Sequence, residues 1–360
     1  MQHTIKDLAK YIKNIVPPTI PEVIHLHPMF INIAPDENLQ NGLLAYRDLL
    51  YLICDQLIEK GHLFEKAKTS SKNTAHLSLA VGYPFLNSIK SILFMMGYHG
   101  RLVDSDKAII IDEFKIFTTI IGAEGMPMKA KISRPKLLKA IEFLTSCGFI
   151  FDKINLEAKP SDILNASSVK ISFTKNPHLF VALKAMAIAQ RELYEKGKHN
   201  IFLRCDYREL ENEATDTKAV LTDFITPLSQ SIQEFILDLH QQLIDAGLVC
   251  KVDYFYLNIR FIYSYKRKDI CTFSAAHESG YRLLLKAKNT TLYPDIIDTF
   301  NIGLQKTIAR GYGCDKRLFN EPCQKGCHGY SFALDDSIID TREDIKKWLD
   351  NEVSHVIKKK

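Results

Sequence analysis

Apolar residues recur at helical spacing in the first fifteen positions. Ile5, Leu8, Ile12 and Ile15, with lysines between them, predict a short amphipathic helix. Pro17, Pro18, Pro21, Pro28 and Pro35 then interrupt any regular period, which predicts an extended connector over 17–36. A second helix opens at Asp36, Glu37 and Asn38. It carries Leu39, Leu43, Tyr46, Leu50, Ile53 and Leu57 on one stripe and stops at Gly61. Beyond a polar stretch at 68–74, a third helix is expected over 76–96, with Pro84 bending it or marking its start and Gly97 closing it. Ala108–Ile121 is β-branched and aromatic and reads as strand. Ser133 and Pro135 start a helix whose stripe is Leu137, Ile141 and Leu144 and whose stop is Gly148. Strands are expected at Phe149–Ile154 and Val169–Phe173. A helix follows from Asn176-Pro177 to about Lys196, then a break at 197–199 and a strand-like Ile201–Tyr207.

From residue 216 the period changes. Two helices flank Pro227, the second ending at Gly247, and Leu248–Val252 is strand-like. Leu257, Ile259, Phe261, Tyr263 and Tyr265 alternate with polar residues, Ile270–Ala276 pairs back after a charged turn, and Tyr281–Ala287 alternates again. Three strands with short turns make an antiparallel meander. A helical region is expected at 292–310, a strand near Tyr330–Leu334, and a final helix at 341–356 with Ile345, Trp348 and Val353 inward. The fold class is therefore α+β: a mainly helical N-terminal region followed by an antiparallel sheet flanked by helices. The domains are a helix-rich α+β domain at 1–198 and an α+β domain with the meander and a cysteine loop at 216–360. Helix, glycine and apolar strand recur at 143–150 and 242–249, which raises the idea of an internal duplication, although that ending is common to many helices.

Composition narrows the classes. The 360 residues are 46% hydrophobic and 25% charged, which excludes wholesale disorder. At ~150 residues per domain the length suits two domains. Forty-seven basic and 42 acidic residues leave a net charge of +5, too little for a dedicated nucleic-acid coat. Lysines break the N-terminal stretch, so it does not read as a secretory signal, and no window is apolar enough to span a membrane. The expectation is a cytoplasmic protein without a membrane partner.

Cysteine supplies the strongest chemical pattern. Cys54, Cys147, Cys205, Cys250 and Cys271 stand alone and read as small buried hydrophobes, whereas Cys314, Cys323 and Cys327 fall together, followed by His328. Zinc takes four ligands in a tetrahedron, and a Cys323-x3-Cys327 turn around Gly326 presents two thiolates to one ion. Cys314, in Gly311-Tyr312-Gly313-Cys314, makes a third. The fourth ligand is not legible: Cys271, His277 or another distant residue would close a structural site, and an open position would serve catalysis. The spacing fits neither ferredoxin pattern nor a CxxC redox pair.

Weaker constellations read as structural. His25-x-His27 places two imidazoles on one side of an extended segment, and Tyr98-His99-Gly100 ends a helix where the dipole favours a cation. Arg260, Arg282, Lys286 and Lys288 share neighbouring strands and read as the solvated side of a sheet. Residues 129–173 combine Lys129, Lys131, Arg134, Lys136 and Lys139 with a helix, a glycine and two strands, the order of a recognition helix and wing. No helix-turn-helix is visible ahead of them, which disfavours nucleic acid as a partner. No P-loop, Rossmann fingerprint, nucleophile elbow or His-Glu-x-x-His is present.

Ile201–Arg208, Phe261–Tyr265 and Gly311–Cys314 resemble the corresponding strings of an uncharacterised bacterial protein family of similar length, over roughly residues 85–355. The resemblance implies a free-standing cytoplasmic protein and carries no activity. The leading expectation is a non-catalytic binding or regulatory protein of unknown small-molecule or protein partner, with zinc stapling the C-terminal loop. The alternatives are a small-molecule enzyme with a cleft between lobes and a DNA-binding regulator using residues 129–173.

Overall fold

The computed structural model describes residues 4–64, 82–122, 127–193, 201–212, 216–255, 257–310 and 329–358. It is α+β, and the chain divides into two compact units, Met1–Thr215 and Asp216–Lys360. The polar stretch at 68–74, the break at 197–199 and the cysteine loop lie outside the described residues.

The first unit is built on helices. α1 (Ile5–Ile15) is started by a reciprocal capping box between Thr4 and Asp7 and buries Ile5, Leu8, Ile12 and Ile15. It packs on α2 (Asp36–Lys60), whose expected stripe is buried from Leu39 to Leu57. α3 runs Pro84–His99, so Pro84 is its first residue and not a kink. Every residue from Phe85 to Gly97 is buried, which makes α3 the centre of the unit. Gly97 does not end the helix, as the sequence suggested. A Cβ there would run into the Leu183 carbonyl of α6 (Leu179–Ile188), so the glycine permits close backbone approach. Gly42 of α2 meets α6 in the same way at the His178 carbonyl, and α6 contacts both helices.

The sheet of this unit has the order β1-β2-β6-β5, all antiparallel: β1 (Arg101–Val103), β2 (Ala108–Glu113), β5 (Phe149–Phe151) and β6 (Ser167–Phe173). The expected strand at 108–121 is broken. Pairing with β6 stops at Glu113, and Phe114–Thr118 turns into a 3-10 helix that buries Phe114 and Phe117 on one side. β3 (Thr119–Ile121) then pairs with β4 (Pro127–Lys131). α4 (Arg134–Cys147) ends as predicted at Gly148, with φ 114°, and a short α5 (Pro160–Leu164) lies between β5 and β6. The strand expected at Ile201–Tyr207 is instead α7 (Ile201–Arg204) and a 3-10 turn at Tyr207–Leu210. Contact with α1, α3 and α6 overrides the β-leaning composition. Phe202 and Leu203 are buried, and the Tyr46 hydroxyl donates to the Phe202 carbonyl.

The second unit begins with α8 (Thr217–Ile225), capped by Asp216, and α9 (Gln230–Asp245). Five strands follow in sequential antiparallel order: β7 (Val249–Phe255), β8 (Asn258–Tyr265), β9 (Lys268–Ala276), β10 (Gly280–Lys286) and β11 (Gly329–Ala333). The expected helical region at 292–310 is two pieces, α10 (Pro294–Ile297) and α11 (Ile302–Arg310). α12 (Arg342–Lys358) turns Ile345, Trp348 and Val353 inward, as expected. Helices cover the inner sheet face: Phe224 packs on Phe261, His240 on Tyr263 and Trp348 on Tyr330, with ring centroids 5.0, 5.7 and 4.6 Å apart. The helix–glycine–strand echo stops at the edge strand. β5 joins a sheet whose other strands include two that precede its helix, whereas β7 opens a sequential meander.

Candidate nucleic-acid interface

Connectivity singles out one part of the first unit. In chain order it runs α3, β2, the 3-10 helix Phe114–Thr118, α4, β5, β6, and the sheet places β6 between β2 and β5. Helix, strand, helix, helix and a two-stranded wing, with the first strand paired to the last, is the connectivity of a winged helix. The 3-10 helix packs on α3, α4 and β6. Phe114 and Phe117 stand edge to face at 5.1 Å, and Phe114 faces Phe151 at 6.3 Å. It occupies the position of the first helix of a helix-turn-helix. That element was not legible in the sequence because five residues with two buried phenylalanines look like strand. Three departures are plain. β1 lies between α3 and β2 and adds a fourth strand on the other side of β2, the β3–β4 hairpin replaces the tight turn before α4, and the connection 152–166 carries α5 and charges of both signs.

α4 buries Leu137, Ala140, Ile141, Phe143, Leu144 and Cys147, so its opposite side is exposed. Its first turn holds Arg134 and Lys136, no acid, and an N-cap Ser133 that makes no side-chain cap bond. Cations there oppose the positive end of the helix dipole, at about 0.3–1 kcal/mol each when exposed. Lys129 and Lys131 lie just ahead on β4, with Lys131 opposite Thr119. All four are exposed, and none forms an ion pair within the described residues. Lys139, grouped with them by sequence, is committed elsewhere: it donates to the Leu63 carbonyl at 2.7 Å and lies 5.1 Å from the Phe64 ring centroid.

The other candidates fall into place as structure. The Lys286 ammonium pairs with Asp269 at 2.7 Å, Arg260 pairs with Asp253, and the Arg282 guanidinium donates to Ser331 Oγ at 2.7 Å. His27 Nδ1 accepts from the Met29 amide at 3.3 Å and so caps a 3-10 turn. His99 has its pKa lowered by burial and by Arg191 and Lys184, against the effect of the dipole alone.

Cys314, Cys323 and Cys327 lie outside the described residues, as does His328. Among the described residues no group of three or more His, Cys, Asp or Glu side chains is arranged to hold a metal. Cys54, Cys147, Cys205 and Cys271 are buried and Cys250 is half-buried, all as free thiols. Burial pushes the Cys54 thiol up to about 12 and the Cys147 thiol to about 11, and raises those of Cys205 and Cys271 further. His277, the other distant ligand considered, sits in the β9–β10 turn 3.6 Å from Glu278. No helix among the described residues is long and apolar enough to cross a membrane. Comparison with protein-family models, curated proteins and solved structures found no match, so the candidate site rests on connectivity, exposure and charge.

Proposed function

We propose that this is a non-catalytic, regulatory type of binding protein whose first unit docks on nucleic acid through β4 and the first turn of α4. One observation carries the reading. Lys129, Lys131, Arg134 and Lys136 are exposed without ion-pair partners among the described residues, at the start of the helix that precedes the wing. A protein that keeps cations at the wrong end of a helix violates a local rule, and such violations concentrate at functional sites. Phosphate oxygens at that position would reverse the sign of the interaction with the dipole and take hydrogen bonds from the exposed amides.

The test is binding of a labelled random-sequence duplex, followed by fluorescence anisotropy across a salt series. Four phosphate contacts predict a slope of log K against log salt of about −3.6. Arg134→Gln alone flattens the slope by about 0.9. Lys129→Gln, Lys131→Gln, Arg134→Gln and Lys136→Gln together remove binding, while Lys286→Gln, at a paired cation of the second unit, leaves it unchanged. Absence of binding at low salt, or a quadruple variant with the original slope, overturns the reading.

We further propose that zinc is held by Cys314, Cys323 and Cys327. Along the sequence the five other cysteines stand alone, whereas Cys314, Cys323 and Cys327 fall within one short segment, the spacing that lets a turn present two thiolates to one ion. Protein purified without added metal should contain one zinc per chain, with Cys314, Cys323 and Cys327 protected from alkylation until a chelator is added. Absence of metal, with these three thiols alkylated equally fast with and without chelator, excludes it. Cys323→Ser and Cys327→Ser should lose the metal and lower the unfolding midpoint, since a structural site couples binding to folding.

A further inference from the structure

The five-stranded sheet of the second unit ends at β7, which is bonded to β8 along seven residues, and no strand among the described residues pairs with its other side. Its residues alternate in register. Cys250, Val252 and Tyr254 oppose Tyr263, Phe261 and Ile259 on the inner face, and Val249, Lys251 and Asp253 oppose Ser264, Ile262 and Arg260 on the outer. Val249 is 67% exposed and Lys251 is exposed. A long, regular edge strand is a template for another strand, and proteins that remain monomeric usually blunt it with a charged side chain (lysine above all), a proline, a bulge or a cover. β7 carries one such lysine, Lys251, which blunts the edge only against a strand that offers it no opposite charge. β7 has no proline, and the irregularity near it lies on the β8–β9 pairing and not on β7 itself.

The pattern of charge on β7 identifies the occupant. An added strand keeps buried face with buried face only when partners differ by an even number of positions, because side chains alternate with period two. For a second β7 running antiparallel, three registers satisfy this near the strand centre. The register centred on Lys251 places lysine against lysine. The register centred on Asp253 places aspartate against aspartate. The register centred on Val252 engages the whole strand and sets Lys251 against Asp253 twice, with Val252 against itself. Unlike charges directly opposite are favourable and like charges unfavourable. The same register extends an existing row: Arg260 pairs with Asp253 within the chain, and Asp253 would then have Lys251 of the second copy on its other side. A two-fold axis perpendicular to the sheet generates this arrangement, the self-complementary type of a closed dimer.

We propose that the β7 edge is the contact of a two-fold homodimer in which two second units join into one continuous antiparallel sheet with Val252 at the axis. The proposal is independent of the nucleic-acid reading, since it uses only residues of the second unit.

The experiment uses the full chain in light scattering coupled to size exclusion, over a concentration series into the high micromolar range. The wild type is expected to be dimeric. Lys251→Glu sets carboxylate against carboxylate in both pairs, and Asp253→Lys sets ammonium against ammonium in both. Each variant alone should weaken dimerisation at least about tenfold, as two favourable pairs become two unfavourable ones. An equimolar mixture of the two variants should recover a heterodimer, because every opposed pair is again of unlike charge. Recovery by mixing also shows that neither variant failed to fold. A wild type that stays monomeric throughout, a dimer indifferent to both reversals, or a mixture that does not recover association overturns the proposal.

Discussion

Glu352 is 1% exposed near the end of α12, yet its carboxylate is fully engaged. It accepts from the Lys288 amide at 2.8 Å, the Asn289 amide at 3.0 Å, Asn289 Nδ2 at 2.8 Å and the Tyr293 hydroxyl at 2.8 Å. Burial, and then the negative Glu352 beside it, raise the Tyr293 pKa, so the phenol keeps the proton it donates. Glu352→Ala strands several buried donors at once and should cost about 3 kcal/mol or more in urea unfolding, whereas Tyr293→Phe removes one bond and should cost about 1 kcal/mol. None of this was legible in the sequence, because the partners lie 59 to 64 positions away and a glutamate on a helix reads as solvated. His240 gives a pH prediction. Burial first, then Lys218, lower its pKa from 6.5 against a smaller opposing effect of Asp216, and its Nδ1 lies 2.7 Å from the Tyr263 hydroxyl. The unfolded chain therefore binds this proton more readily than the folded one. The corresponding stability is present above about 6.5 and is lost as pH falls from there towards the folded value. Urea midpoints measured on either side of that pH should show a slope that His240→Asn flattens.

At the scale of elements, α6 lies against α2 and α3 with a glycine facing it from each. Gly97→Ala forces a methyl against the Leu183 carbonyl and should cost about 1–3 kcal/mol, the range for overpacking, read as a lower chemical-denaturation midpoint. The sequence marks Gly97 as a helix stop because a glycine after an apolar run is a common terminator. Distinguishing a terminator from a site of close approach needs the neighbouring helix. The amphipathic helices α1, α2, α4 and α12 were legible because each has one buried side. α3 blurred because it is buried all round, and Phe114–Thr118 read as strand because one 3-10 turn is too short to show a period. That miss weakened the candidate interface in the sequence, where the basic residues and α4 were visible but the 3-10 helix packed beside α4 was not.

The whole molecule is two units with separate cores: phenylalanines around Phe149 and Phe180 in the first, and the Tyr263, Phe273 and Trp348 groups in the second. A chain of residues 216–360 alone is expected to unfold cooperatively in urea by circular dichroism. A broad, featureless loss of signal would show that its core is incomplete without the first unit. The two proposed contacts divide accordingly, with nucleic acid assigned to the first unit and self-association to the second.

The sequence by itself determined the α+β class, the amphipathic helices and the alternating strands of the meander, because these depend on periods of 3.6 and 2 that neighbours in the chain impose, and it located the basic run at 129–136. The tertiary structure alone decided strand order, the role of Gly97, the helical state of 114–118 and 201–204, and which charges are already neutralised. Each of these is a relation between residues far apart in the chain, where packing and pairing energies outweigh local preference.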